Sequence, residues 1–333
     1  MAGPRVGSLC YKARVERSAR NPILTRADIP DVAPLVTDAS SVFNPGAVAL
    51  DGRYVLLLRV QTRGRETRLM FAESEDGVSF TVLPRLVEIE GIGDAGVLLH
   101  HVYDPRITRI GNETFVAFVA DSDDGCHPGI ARMHGVDRLE LVSLDLDADA
   151  RNAVLFPEKI GGRYLRLERP NRNRLELGST TGDEIHLAES DDLVDWRGLG
   201  PVMAGRWRYW DELIGSGPPP AKTRRGWLHL YHGVATHFGG AVIYQAGVSL
   251  LDLEEPAKLI ARGRDNVLEP REMYEMVGQV PNVVFPSGMI VEWTDDDGFA
   301  LPESPVRLYY GAADTCVCLA ETTIDWLLAA AHR

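Results

Sequence analysis

The stretch NPGAVALDGRYVLLLR, Asn44 to Arg59, decides the fold. A proline-marked turn opens a short apolar run, Asp51-Gly52 supplies a tight polar turn, and a second apolar run ends on an arginine. Asp-Gly between two such runs is a strong hairpin signal. The phrase returns as DPRITRIGNETFVAFVADSD (104–123), FPEKIGGRYLRLERP (156–170), PPPAKTRRGWLHLYHG (218–233) and FPSGMIVEW followed by VRLYYGAAD (285–293 and 306–314). Its prolines, Pro45, Pro105, Pro157, Pro220 and Pro286, lie roughly 50 to 65 residues apart, a period that marks propellers and arrays.

A second phrase recurs downstream of the first. RLMFAESEDGVSF (68–80) parallels IHLAESDDLVDW (185–196): Ala-Glu-Ser ends one strand, an acidic turn follows, and an aromatic closes the next. Four short strands per unit and five units predict an all-β, five-bladed β-propeller over 36–333, as a single domain. Segment 1–35 is expected as an arm packing on that body. Helical spacing emerges only in AETTIDWLLAAAHR, where Ile324, Leu327 and Leu328 suit one packed C-terminal helix. A β-sandwich with a second domain does not predict five similar phrases.

Bulk composition narrows the function classes. The 333-residue chain carries a formal net charge of -13, which argues against a nucleic-acid partner, because phosphate backbones select basic surfaces. The N-terminus has no apolar core of a secretory signal, and no stretch reaches the length that spans a bilayer, so the expected location is cytoplasmic. Cys10, Cys126, Cys316 and Cys318 show no metal spacing and read as structural thiols; no metal and no organic cofactor are expected.

The innermost strands of a propeller surround a central channel, so equivalent positions of every blade converge on one volume. Asn44, Arg59, Asp104, Arg106, Arg169, His232 and Asp314 sit at the edges of otherwise apolar hairpins, where burial is expensive unless the groups pair or meet a ligand. Blade-to-blade ion pairing is the plainer account of any one of them. Taken together, with Tyr103, Tyr164, Tyr231 and Tyr309 nearby, they suit a pocket for a small polar ligand such as a sugar.

The phrases NPIL (21–24), FNPGAV (43–48), VYDPRIT (102–108), LFPEKIGGRYLRLERP (155–170), GWLHLYHGV (226–234), VPNVVFPSG (280–288) and YYGAADT (309–315) occur in order from about residue 20 to the end. In this set the sequence resembles glycoside hydrolase family 130, the β-mannoside phosphorylases and related β-mannosidases. The resemblance implies a five-bladed propeller and the inverting phosphorolysis of β-mannosides, with inorganic phosphate as co-substrate, giving α-mannose 1-phosphate and a shortened acceptor. It makes Asp104 the sole protein acid, its proton passing through a sugar hydroxyl. It assigns phosphate to Arg151, Asn152, Arg169 and His232, and the sugar to Asn44, Arg59, Arg68, Tyr103 and Asp314. A homo-oligomer is compatible with it.

The residue types fit the chemistry. Inverting hydrolysis needs a second carboxylate to activate water, whereas phosphate is already an anionic nucleophile and needs a cationic cradle. Arginine forks suit oxyanions. One position departs: family phosphorylases carry lysine directly before Ile-Gly in the fourth blade, and WDELIGSGPPPAK (210–222) has Leu213 there. Lys222 is a poor substitute and reads as a solvated turn residue. The gap favours a β-mannosidase as the alternative, with Asp211 or Glu212 as base; a non-catalytic sugar-binding propeller is the third option. Arg106, two residues from Asp104 and on the same strand face, is expected to turn toward another carboxylate or the substrate. Arg63 and Arg65 compete with Arg68 for its assignment. Loops 61–67, 171–184 and 235–241 are expected to line the mouth and set linkage and acceptor.

Overall fold

Residues 15–174, 180–236 and 242–333 are described in the computed structural model. Cys10 and the central parts of the expected rim loops, 175–179 and 237–241, lie outside them. The strands form the expected propeller. Blade 1 runs outward through Ser41–Leu50, Arg53–Gln61, Thr67–Ser74 and Thr81–Val82; blade 2 through His101–Ile110, Glu113–Ser122, Gly125–His134 and Arg138–Leu144, with Ile89–Glu90 added in parallel at its edge. Blade 3 comprises Ala150–Leu155, Tyr164–Pro170, Glu184–Ser190 and Arg197–Ala204. Blade 4 comprises Leu213–Ser216, Gly226–Thr236, Val242–Leu251 and Leu259–Arg262. Neighbouring blades touch around the whole ring, and blade 5 packs back on blade 1.

Blade 5 carries the one topological surprise. Its first three strands are Val284–Val291, Pro305–Ala312 and Cys316–Thr323, and its fourth is Glu16–Arg17 from the other end of the chain, antiparallel to Cys316–Thr323. The segment expected as an arm therefore completes a sheet. Asn21 of NPIL mimics a strand neighbour: its Nδ2 donates to Leu319 O at 2.9 Å and its Oδ1 accepts from Leu319 N at 2.8 Å. Arg17 reaches the fully buried Glu275, which also accepts from the Tyr310 hydroxyl.

The apolar runs read as continuous because both faces of each sheet are covered. In Arg53–Gln61, Leu56, Leu58 and Val60 pack between blades 1 and 5, and Val55 and Leu57 between blades 1 and 2. The core is thus a set of wedges between blades. Burying each such side chain stabilises by about 1.5–3 kcal/mol. The C-terminal helix Ile324–Ala331, capped by Thr323, adds Ile324, Leu327 and Leu328 to the wedge between blades 4 and 5, as its spacing predicts.

The recurring Ser-x-Asp turns are equivalent in structure. After the third strand of blade 1, Gly77 N donates to Ser74 Oγ, and Asp76 accepts from Val78 N and Ser79 N. In blade 3, Leu193 N donates to Ser190 Oγ, and Asp192 accepts from Val194 N and Asp195 N. The proline marker holds less well. Pro45, Pro105 and Pro286 lie in inner strands, whereas Pro157 and Pro220 lie in the connections that follow them. In blade 3 the true counterpart of FNPG and YDPR is RNAV, with Asn152 in the place of Asn44 and Asp104. Among the described residues, no helix is long and apolar enough to cross a membrane.

Candidate active site

Three inner strands break register at the same height, between Phe43 and Gly46, Tyr103 and Arg106, and Arg151 and Val154. At each break one polar residue takes left-handed backbone: Asn44 at φ 47°, Asp104 at 53° and Asn152 at 56°. Asn and Asp tolerate this conformation better than other side chains, though it still stores of order 1 kcal/mol or more. Such bulges re-aim a side chain, and here they turn three polar groups toward the channel.

On one side stands Asp104. Its Oδ1 accepts from Asn44 Nδ2 at 3.0 Å and Arg59 Nη1 at 2.8 Å. The Arg59 guanidinium is held by the rings of Phe43 and Tyr103, at 4.5 and 4.7 Å, and the Tyr103 hydroxyl donates to Asp121 at 2.6 Å. Burial alone pushes the Asp104 carboxyl up, but the Arg59 and Arg106 charges outweigh it and hold the group below the usual aspartate value. Asp314 sits at the turn between the second and third strands of blade 5, also left-handed at φ 49°. Burial pushes it up to about 6, Arg59 opposing and Asp104 adding.

On the other side, Arg151 and Arg169 face each other directly across the first two strands of blade 3. Like charges so placed are destabilising, and neither forms a salt bridge among the described residues. Arg151 Nε donates to Cys126 Sγ at 3.1 Å. Arg169 is buried, and burial followed by the Arg151 charge lowers it to about 10. His232, fully buried beside Phe285 at 4.6 Å, has no partner for either ring nitrogen. Burial first, then Arg169 and Arg106, hold it far below the ordinary histidine value, so it is a neutral imidazole. Asn152 meets it over Gly215: a Cβ built there would lie 2.4 Å from Asn152 Oδ1 and 2.5 Å from His232 Cε1.

Unpaired buried atoms gather here. Asn44 Oδ1, Arg59 Nε, Asn152 Oδ1, Arg169 Nε and both His232 nitrogens lack a partner among the described residues. Buried polar groups are paired as a rule; other unpaired atoms occur elsewhere, at Arg166 and Arg307 for example, but those named above belong to residues carried by the inner hairpins of blades 1, 3 and 4, an arrangement that suits a polar ligand.

Several expectations need correction. Arg106 turns to neither carboxylate nor channel; its nitrogens donate to backbone carbonyls of Gly217, Asp104 and Ser216. Tyr164, Tyr231 and Tyr309 are structural: Tyr164 lies under Lys159, Tyr231 donates to Asp211, and Tyr309 donates to Gly77 O. Asp211 is fully buried and bound by Arg206, Arg262 and Tyr231, and Glu212 accepts from Thr236. Lys222, expected in a solvated turn, lies in the short strand Ala221–Thr223 and pairs with Glu158 at 2.7 Å. Arg68, 3.4 Å from Glu66, makes no recorded contact with the Asp104 or Arg151 groups, and Arg63 pairs with Asp38.

One residue escaped the sequence reading. Tyr244 lies 5.9 Å from His232 and 6.4 Å from Phe285 by ring centroids. Its hydroxyl is raised by burial, and the charges of Arg169, Asp314, Arg151 and Asp104 all act on it, so it stands between the two halves. It belongs to the third strand of blade 4, Val242–Leu251, whereas attention to run-ends favours the inner hairpins. A lone tyrosine in VIYQAG offers no signal of its own.

The family model described as beta-1,4-mannooligosaccharide phosphorylase matches residues 14–333. The chain belongs to glycoside hydrolase family 130. It is 32% identical over 317 residues to a beta-1,4-mannooligosaccharide phosphorylase of Ruminococcus albus, covering 92% of this chain and 87% of that one. It is 31% identical to a 1,2-beta-oligomannan phosphorylase of Thermoanaerobacter, covering 85% and 90%. A solved family 130 structure, the beta-1,2-mannobiose phosphorylase of Listeria innocua, superimposes with a TM-score of 0.75 at 25% identity, covering 95% of this chain and 99% of that one.

Proposed function

We propose that this chain is an inverting β-mannoside phosphorylase, with Asp104 as its acid and Arg151, Asn152, Arg169 and His232 as its phosphate site. The observation that carries the reading is the pair of facing arginines without a salt-bridge partner among the described residues, beside a buried histidine with both ring nitrogens unpaired and on the blade next to the caged aspartate. A divalent oxyanion supplies the charge that Arg151 and Arg169 lack; each charge-assisted bond contributes about 1.5–3 kcal/mol. Inversion requires that phosphate approach the anomeric carbon from the face opposite the leaving group.

Asp104 rests ionised in the free site. Binding a sugar hydroxyl and phosphate changes its surroundings: the phosphate charge held by Arg151 and Arg169 repels the carboxylate and raises it toward the working pH. Asn44, Arg59, Tyr103 and Asp314 hold the sugar. The relatives' names span β-1,4 and β-1,2 linkages at similar identity, so the substrate class is the β-mannoside and not one linkage. The product is a charged sugar phosphate that a bilayer retains, which suits a cytoplasmic enzyme.

The mannosidase reading loses its two proposed bases, since Asp211 is enclosed by cations and Glu212 faces Thr236. The test is incubation with β-1,4- and β-1,2-manno-oligosaccharides, with and without phosphate. Mannose 1-phosphate appearing only with phosphate is the expected result; free mannose at equal rates in both would overturn the proposal.

A further inference from the structure

Arg106 is among the largest fully buried side chains of the molecule, and it has no salt-bridge partner among the described residues. Its Nε donates to Gly217 O at 2.7 Å, its Nη2 to Ser216 O at 3.2 Å, and its Nη1 to Asp104 O at 2.9 Å. The first two acceptors belong to the end of the inner strand of blade 4 and the residue after it; the third is the backbone of the acid itself. Backbone pairing of that strand with the next ends at Gly217, whose N–H donates to Leu230 O at 3.0 Å, and three prolines follow, none with an N–H to offer. Arg106 gives both carbonyls a buried charged donor, and buried backbone acceptors are nearly always paired.

The corresponding places in blades 1 and 5 hold Gly46 and Gly288, which let strands approach closely. A Cβ on Gly46 would lie 2.9 Å from Pro105 O, and one on Gly288 would lie 3.0 Å from Pro45 O. Blades 5, 1 and 2 are thus joined by direct backbone approach. Blade 2 reaches blade 4 by a side chain instead.

We propose that Arg106 is a positioning residue, a brace between blades 2 and 4 that holds the strained Asp104 bulge at a fixed distance from the phosphate side. The brace reaches both halves of the site. Gly215, directly before Ser216, faces His232 across the ladder and packs against Asn152; at its other end Arg106 grips the left-handed residue that carries the carboxylate. Its buried guanidinium, spent on three carbonyls, is shut off from ligand and is not a phosphate contact. Its charge nevertheless bears on both Asp104 and His232.

This inference rests on the phosphorylase reading, and the experiment separates the two. Wild type, Arg106→Met and Arg106→Lys are compared for mannose 1-phosphate release, with kcat and KM measured for mannoside and phosphate, and folding checked by thermal melting. Wild type releasing no mannose 1-phosphate counts against the phosphorylase reading. Given wild-type turnover, Arg106→Met is expected to lower kcat by about 100-fold, the scale of an ångström-level misplacement, with KM for phosphate within about threefold. Arg106→Lys keeps the charge but not the three-way fork, and is expected to lower kcat by about tenfold with the same KM pattern. Should Arg106→Met fail to fold, Arg106→Lys decides. Wild-type kcat in Arg106→Lys overturns the brace, as does a KM for phosphate raised tenfold or more with kcat retained.

Discussion

Two buried clusters of arginines in adjacent blades look alike in composition and differ in completeness. Around Asp211, Arg206 and Arg262 bring guanidinium nitrogens to 2.8 and 2.6 Å, and the Tyr231 hydroxyl adds a bond at 2.8 Å. Both guanidiniums there share a carboxylate supplied by the chain. Around Arg169, a second arginine and an uncharged histidine face it with no carboxylate. The first cluster is closed by a carboxylate of the chain; the second has no carboxylate partner among the described residues, which is the charge pattern the proposed phosphate site requires. The missing partner, more than any single residue type, separates function from framework.

Four substitutions press on that contrast. The largest effect is expected from Asp104→Asn, which removes the acid and keeps the shape: kcat should fall by about 10²- to 10⁴-fold, while sugar affinity measured by calorimetry stays within a few-fold. Wild-type turnover would mean that the caged carboxylate is framework too. Next, Asp211→Asn leaves two cations facing a neutral amide in a buried place. Chemical denaturation should show a loss of about 3 kcal/mol, with KM for phosphate unchanged in the folded fraction. A tolerant Asp211 would blur the contrast.

Arg169→Met should do the reverse. KM for phosphate is expected to rise by about 10- to 100-fold, matching one or two charge-assisted bonds, while the melting temperature without phosphate stays level or rises, because an unpaired buried cation has gone. A large loss of stability would place Arg169 with the framework. Smallest is a pH effect at Asp314. Its carboxyl is raised from the ordinary 3.8 to about 6, so the folded state binds its proton more tightly than the unfolded state. The resulting stabilisation is full below about pH 4 and lost as pH rises through 6. Asp314→Asn should flatten the melting-temperature profile between those values; an unaltered slope would remove the assignment. Asp104, held below its ordinary value, acts in the opposite sense and at lower pH.

Much of this architecture was legible in the chain because it rests on hairpins, and hairpins are local. Asp51-Gly52 and the Ser-x-Asp turns carry their signals within a few residues, and five occurrences of the hairpin phrase count the blades. Asp104 stood out because it is a carboxylate at the edge of an apolar run, and the structure holds it between Asn44 and Arg59. Blade 3 misled because Pro157 imitates a marker whose physical content is the left-handed polar residue, present there as Asn152 without a proline after it. Tyr164, Tyr231 and Tyr309 looked like channel walls because an aromatic in a run fits either a wedge or a wall, and only packing across blades decides. Arg106 was out of reach for a stronger reason: its partners are carbonyl oxygens, which every residue has and no sequence displays. Strand Glu16–Arg17 was equally hidden, being two residues long and paired across nearly the whole chain.

That last pairing has a consequence for how the protein is made. Glu16 lies opposite Glu321 in the ladder, so a ribosome must deliver about three hundred further residues before the earliest strand meets its neighbour, roughly half a minute at 5–20 residues per second. Until then the circle is open, and side chains drawn from all its sectors cannot assemble around a substrate. A nascent chain that has not yet reached Cys316–Thr323 is therefore expected to lack both the completed fifth sheet and the site that the ring assembles.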